Sequence, residues 1–94
     1  MIVKIKRYDD KEDFLLVDNI QTLHKAFTKY NGPLGPNDVL VQDCDPLSTM
    51  IKLACVKNDG SEISVIFDTT AYILNDSGKT IECIVANNRL LQNK

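Results

Sequence analysis

Alternation of apolar and polar positions along the chain predicts mostly β-strands. In residues 2–8, Val3 and Ile5 fall on one side and two lysines on the other, as in a strand with one buried face. The charged segment Asp9–Asp13 is typical of a turn, and the apolar run Phe14–Asp18 follows it. We therefore expect two strands, which a hairpin can join.

The apolar spacing then changes to three and four, which is typical of an amphipathic helix. The predicted stripe consists of Ile20, Leu23, Phe27 and Tyr30. Asp18 with Gln21 resembles a capping box, and Asn31-Gly32 followed by Pro33 is a stop signal. These signals predict a helix from about Asn19 to Tyr30. The alternative is one long helix from about Asp10 to Tyr30.

A rigid loop over residues 31–38 leads to a third strand, Val39–Asp43, and the rest of the chain indicates a four-stranded meander. Its first hairpin has a choice of register. A three-residue loop, Asn58–Gly60, brings apolar partners together throughout, and a two-residue loop does not. The predicted pairs are Cys55 with Ile63, Leu53 with Val65 and Ile51 with Phe67. Gly60 then takes the left-handed position.

The second hairpin follows the same logic. Asp76–Gly78 as the loop pairs Ile73 with Ile81 and Ala71 with Cys83. The predicted fold class is therefore α+β, with a mainly antiparallel sheet of about six or seven strands and one amphipathic helix packed on it, in a single domain over residues 1–94. The helix stripe is expected to pack against Val3, Ile5, Ile51, Leu53, Val65, Phe67 and Ile73.

Composition narrows the function classes. The chain has 94 residues, 44% of them apolar and 26% charged, with a net charge of -2. That balance is typical of a soluble globular domain and argues against a protein whose main task is to grip phosphate backbones. The N-terminus lacks the pattern of a secretory signal, and no apolar run is long enough to span a membrane. We therefore expect a cytoplasmic protein.

Candidate chemistry is sparse. Cys44, Cys55 and Cys83 are odd in number and widely spaced, which favours reduced thiols. His24 is the single histidine, and no Cys pair has zinc-ligand spacing. Gly78-Lys79-Thr80 lacks the upstream glycine of a phosphate-binding loop and is better explained as a hairpin turn. We assign no catalytic, cofactor-binding or metal-binding residue.

For the acidic and the basic clusters alike, ordinary solvent-exposed surface charge is the interpretation that we prefer. The acidic clusters are typical of solvated turns; they comprise Asp9, Asp10, Glu12 and Asp13, and the pair Asp43 and Asp45. The basic side chains would form one face if the first strand lay beside the strand before Asn58. They are Lys4, Lys6, Arg7, Lys11, Lys52 and Lys57, with Tyr8 or Tyr72 available to stack on a base.

These observations favour a small non-enzymatic interaction or accessory module with a protein partner. The alternatives are a nucleic-acid-associated regulator that uses the lysine-bearing face, and a small-ligand binder or enzyme subunit whose site forms between subunits. We also predict a homodimer, because the predicted registers place many apolar side chains opposite the core. They are Ala54, Val56, Ile66, Tyr72, Leu74 and Ile84.

Overall fold

The computed structural model describes residues 1–8, 12–29, 34–41 and 49–85, and side chains in these ranges except at positions 27–29 and 49. Eight strands make up this part of the chain. They are β1 (Ile2–Lys6), β2 (Phe14–Val17), β3 (Ile20–Lys29), β4 (Asp38–Leu40), β5 (Thr49–Lys57), β6 (Glu62–Phe67), β7 (Thr70–Leu74) and β8 (Thr80–Val85). The described residues contain no helix, so the predicted α+β class is wrong and the described part of the chain is all-β.

The strands form two four-stranded sheets. Sheet I has the order β2-β1-β7-β8 and is antiparallel throughout. Sheet II has the order β3-β5-β6-β4, in which only β4 runs parallel to its neighbour. The predicted strands at the N-terminus and their hairpin are confirmed, and the alternative helix from Asp10 is wrong. Of the third predicted strand, residues 39–40 lie in β4, and positions 42 and 43 fall outside the described residues.

Residues 20–29 form a strand because their apolar spacing also fits a strand that contains one irregularity. Positions 23 and 27 are four apart, which places them on one face of either a helix or a strand. The step of three from Ile20 to Leu23 is absorbed by a β-bulge between Ile20 and Thr22. Pairing with β5 along nearly the whole strand then outweighs helix propensity. The predicted helix ended at Tyr30, which lies outside the described residues.

The segment predicted to start that helix instead carries the chain from sheet I to sheet II. Asn19 has a φ of 56°, a left-handed conformation that asparagine tolerates better than most residues. Its carbonyl accepts a hydrogen bond from the Asn58 amide at 2.8 Å. Met1 and Ile20 exchange two backbone hydrogen bonds beside it. Asp18, the predicted cap, lies 3.8 Å from Lys57 in an ion pair.

One hydrophobic core lies between the two sheets. Sheet I contributes Val3, Ile5, Val17, Ala71, Ile73 and Ile84, and sheet II contributes Ile20, Ile51, Leu53, Cys55, Val65 and Phe67. Alternate residues are buried along most of β1, β5 and β7, as expected of strands with one face in a core. The seven sheet residues predicted for the core are all buried. Their packing partner is the second sheet and not a helix.

The first predicted hairpin is confirmed residue by residue. β5 and β6 pair Cys55 with Ile63, and the remaining pairs follow the predicted register. Gly60 has a φ of 87°, as the three-residue loop requires.

The second hairpin keeps its predicted loop, since Gly78 has a φ of 90° and the Asn75 amide bonds the Lys79 carbonyl at 2.8 Å. Beyond the loop, a bulge shifts the ladder by one residue. Ala71 therefore pairs with Ile84, and the predicted pairing of Ala71 with Cys83 is wrong.

The predicted four-stranded meander is also wrong, because its two hairpins belong to different sheets. The chain crosses from β6 in sheet II to β7 in sheet I through residues 68–69. Thr69 is buried there, and its hydroxyl donates a hydrogen bond to the Lys6 carbonyl at the end of β1. This contact ties the crossing to sheet I.

Candidate functional site

The outer face of sheet I is the most distinctive surface of the described molecule. Residues paired directly across an antiparallel sheet share a face. One row of side chains therefore crosses all four strands, from Leu16 through Lys4 and Tyr72 to Cys83. A neighbouring row holds Ile2 and Leu74, and the remaining members of the face are Phe14, Lys6, Thr70 and Val85.

Apolar side chains on this face are open to water. Leu16 is 62% exposed and Val85 is 58% exposed, and Cys83 is also exposed. Phe14 and Tyr72 are half-buried between them. Single exposed apolar residues are ordinary, but a row of them on one sheet face is typical of an interaction surface.

The charge on this face is basic. The Lys4 ammonium lies 4.3 Å from the centre of the Phe14 ring, in cation–π geometry. Lys6 is paired with Phe14 on the same face. No acidic residue occupies a described strand position on this face. A partner with an apolar surface and a carboxylate or phosphate group would complement such a face.

The outer face of sheet II differs in kind. Its largest apolar side chains, Met50 and Ile66, are buried, although they lie outside the core cluster. A Lys52–Asp38 ion pair of 3.8 Å spans this face beside Ile66. On this face, β3 exposes Thr22, His24 and Ala26. This face offers no exposed large apolar side chain among the described residues.

The apolar face predicted for a dimer is therefore not one surface. Ala54, Val56 and Ile66 lie on the outer side of sheet II, and Tyr72 and Leu74 lie on the outer side of sheet I. Ile84 is in the core, because the bulge in β8 turns it inward. The homodimer itself stays a prediction, and the surface assigned to it is corrected.

The predicted basic face is not assembled either. β1 lies between β2 and β7, whereas Lys52 and Lys57 are on β5 in the other sheet. Arg7 pairs with Asp13 at 3.5 Å. Lys11 lies outside the described residues. Of the two aromatic candidates, Tyr72 lies beside Lys4, and Tyr8 follows the end of β1.

The candidate nucleophiles and ligands are dispersed. His24 is exposed on β3, opposite Ala54, and not on a helix. Cys55 is buried in the core and Cys83 is exposed, and both are free thiols as predicted. Burial raises the pKa of the Cys55 thiol to about 11, with Lys57 opposing that shift, so the thiol stays protonated at neutral pH. Cys44 lies outside the described residues.

The turn charges behave as predicted where they are described. Glu12 and Asp13 are exposed, while Asp9, Asp10, Asp43 and Asp45 fall outside the described residues.

Gly78 lies in the hairpin turn and Thr80 begins β8, so Gly78-Lys79-Thr80 is not a strand-to-helix loop. Among the described residues, no three His, Cys, Asp or Glu side chains are grouped to hold a metal ion. The same part of the chain holds no helix able to cross a membrane.

Sequence reasoning did not place Phe14, Leu16, Cys83 or Val85 on the outer face of sheet I. For β2 a signal was present: an unbroken apolar run in a four-residue strand places apolar groups on both faces. For β8 the bulge hid the pattern, because an uninterrupted ladder turns Cys83 inward and Ile84 outward.

Comparisons with protein-family models, curated proteins and solved structures gave no match.

Proposed function

We propose that the protein is a non-enzymatic interaction module that binds a protein partner through the outer face of sheet I. The observation that carries the proposal is the exposure of Leu16 and Val85 on this face, with Lys4 on a strand between theirs. Apolar area buried in a complex contributes roughly 25 cal/mol per Å², and a half-buried aromatic such as Tyr72 supplies the kind of anchor that interfaces favour.

The charge of the face defines the partner's chemistry further. Lys4 already contacts an aromatic ring, so its ammonium is held in place at the surface. A partner segment that combines apolar side chains with an acidic group would bury the row and pair with that ammonium. Nucleic acid is the competing partner class, because Lys4 and Tyr72 lie side by side. The net charge of -2 and the apolar character of the face favour protein.

A photo-cross-linking experiment tests this proposal. A benzoylphenylalanine replaces Leu16 in one variant and Ala26 in a matched control, and both positions are exposed on an edge strand. After irradiation in lysate of the source cells, we expect one discrete protein adduct from position 16 and none from position 26. Unlabelled wild-type protein should compete for that adduct, and a Val85→Glu variant should not.

Two outcomes contradict the proposal. Equal labelling from both positions would mean that the partner does not bind the outer face of sheet I selectively. An adduct that nuclease removes would mean that this face binds nucleic acid. A fluorescent single-stranded oligonucleotide titrated at low and high salt gives an independent measure. Binding that weakens steeply with salt would support the nucleic-acid alternative.

A further inference from the structure

We propose that two copies of this chain pair through the free edges of β8, in antiparallel orientation about Cys83, so that the two copies of sheet I become one eight-stranded sheet. This inference does not rest on the partner proposed above. It rests on β8, which in the described structure pairs only with β7.

β8 is the least protected edge of the described molecule. It is six residues long, and only one of the six is buried. Glu82 is its one charged side chain, and Ile81 is 56% exposed. The other edges are guarded: β2 and β4 have four and three residues, and β3 carries Lys25 in its exposed middle. An exposed apolar edge invites pairing with another strand, and short length or lysine discourages it.

Symmetry restricts the registers that two β8 strands can adopt. A two-fold axis perpendicular to the sheet must lie midway between one residue and its own copy on the other strand, so that residue faces itself across the axis. An axis at Glu82 would place the two carboxylates directly opposite each other, which is unfavourable. An axis at Ile81 or Ile84 shortens the overlap within β8 to three residues.

An axis at Cys83 avoids both penalties. The overlap covers residues 81–85, with Ile81 opposite the partner's Val85 and Cys83 opposite the partner's Cys83. Glu82 then faces the partner's Ile84, and the two carboxylates become diagonal neighbours about 7–8 Å apart. Ile81 is the bulged residue, which faces no partner on β7, and residues 82–85 after it form a regular ladder.

The same axis keeps both outer faces on one side of the joined sheet. Val85 of each copy lies on the outer face of sheet I, so the two apolar faces adjoin at the new pairing. The result is one larger interaction surface with two-fold symmetry. Edge pairing alone buries little area, so we expect a weak, concentration-dependent dimer.

Sedimentation equilibrium on the full chain under reducing conditions tests the dimer. Over roughly 10–500 µM, typical of weak interfaces, the average mass should rise from 10.6 kDa toward twice that value. Ile81→Lys should weaken dimerisation at least tenfold, because it adds charge at the new pairing. Leu16→Lys is the matched control on the opposite edge strand and should change it less than twofold. Used as an unlabelled competitor in the photo-cross-linking experiment, Leu16→Lys should fail to displace the position-16 adduct, which separates failure of the outer face from failure of the dimer.

Cross-linking tests the register. In a Cys44→Ser background, a short bis-maleimide should join two chains through Cys83, because Cys55 is buried. Cys83→Ser should abolish the cross-link and leave the dimer intact. A constant mass near 10.6 kDa would overturn the proposal. So would a dimer that Ile81→Lys leaves unchanged, or one that Cys83 does not cross-link.

Discussion

The two C-terminal hairpins have the same type of three-residue turn but occupy different places in the molecule. Both strands of the β5–β6 hairpin are paired on each side, with β3 beyond β5 and β4 beyond β6. Among the described strands, the β7–β8 hairpin is paired beyond β7 only, and β8 lies at the edge of sheet I. One hairpin is therefore the centre of a sheet, and the other presents an edge.

Burial follows this difference in position. The central hairpin places Ile51, Leu53, Cys55, Val65 and Phe67 in the core. Of the edge hairpin, β8 contributes Ile84 alone. A strand held by one buried side chain opens at lower free energy than a strand packed along its whole length. The central hairpin thus stabilises the fold, and the edge hairpin leaves a strand available for interaction.

The largest expected effect is a core truncation in the central hairpin. Leu53→Ala should lower the free energy of unfolding by about 2–5 kcal/mol, because it leaves a cavity in the core under a strand that is paired on both sides. Ile84→Ala should cost about 2 kcal/mol or less, because β8 can shift into the space at an edge. Urea unfolding measures both. Equal losses would mean that β8 is held as firmly as β5.

The alkaline pH dependence should also come from the central hairpin. The pKa of Cys55 is raised from 9.0 to about 11 in the folded protein, by burial. Between those values the unfolded thiol ionises and the folded thiol does not, so stability falls as pH rises through that window. The loss is on the order of 2 kcal/mol.

The test is the difference in unfolding free energy between wild type and Cys55→Ala, measured from pH 8 to pH 10.5 under reducing conditions. That difference should shrink with rising pH. The Cys83→Ala variant keeps the buried Cys55 and controls for the removal of a thiol. A level difference for Cys55→Ala would contradict the burial argument.

The turn glycines give a smaller effect. Gly60 and Gly78 have φ values of 87° and 90°, and a side chain at either would meet no atom within 4 Å. The cost of Gly60→Val or Gly78→Val is therefore backbone strain, about 1–2 kcal/mol. Gly60→Asn should cost less, since asparagine tolerates positive φ. Unchanged urea midpoints for both valine variants would contradict the loop assignments.

The difference between the hairpins also explains what the sequence could predict. In β5–β6 the apolar pattern alternates without interruption, so only one register satisfies it, and that register is the observed one. In β7–β8 the same reasoning found the loop but not the bulge, because an edge strand has no second neighbour to constrain it. The exposed face that includes Cys83 and Val85 depends on that bulge, and so the candidate site was missed.

The helix error at residues 20–29 has a similar cause. Spacings of three and four indicate a helix only if the strand alternative is regular, and here a bulge at Ile20 makes a strand fit equally well. The long-range partner, β5, then decides between them. Local pattern therefore predicted the inward side of Ile20, which is buried, and tertiary pairing determined the secondary structure.

The smallest expected effect separates the two turns by their chemistry. Asp59 accepts hydrogen bonds from the Ser61 hydroxyl at 2.6 Å and the Ser61 amide at 2.9 Å. In the edge turn Asn75, the residue before the loop, accepts bonds of the same two-residue spacing from the Ser77 hydroxyl at 2.7 Å and the Ser77 amide at 3.1 Å. The bonds from Ser61 hold the pKa of Asp59 below its ordinary 3.8. The stability that Asp59 adds to the central turn should therefore be lost in acid.

The sign follows from linkage. A carboxyl whose pKa is lowered by folding adds stability above its unfolded pKa, and that stability is lost as pH falls through the folded pKa. The difference in unfolding free energy between wild type and Asp59→Asn should thus be larger at pH 6 than at pH 2.5. Asn75→Asp should introduce the same acid sensitivity into the edge turn, since its oxygen accepts the same bonds. If neither variant alters the pH dependence, the two turns are held by backbone conformation alone, and their side chains add nothing to the contrast between centre and edge.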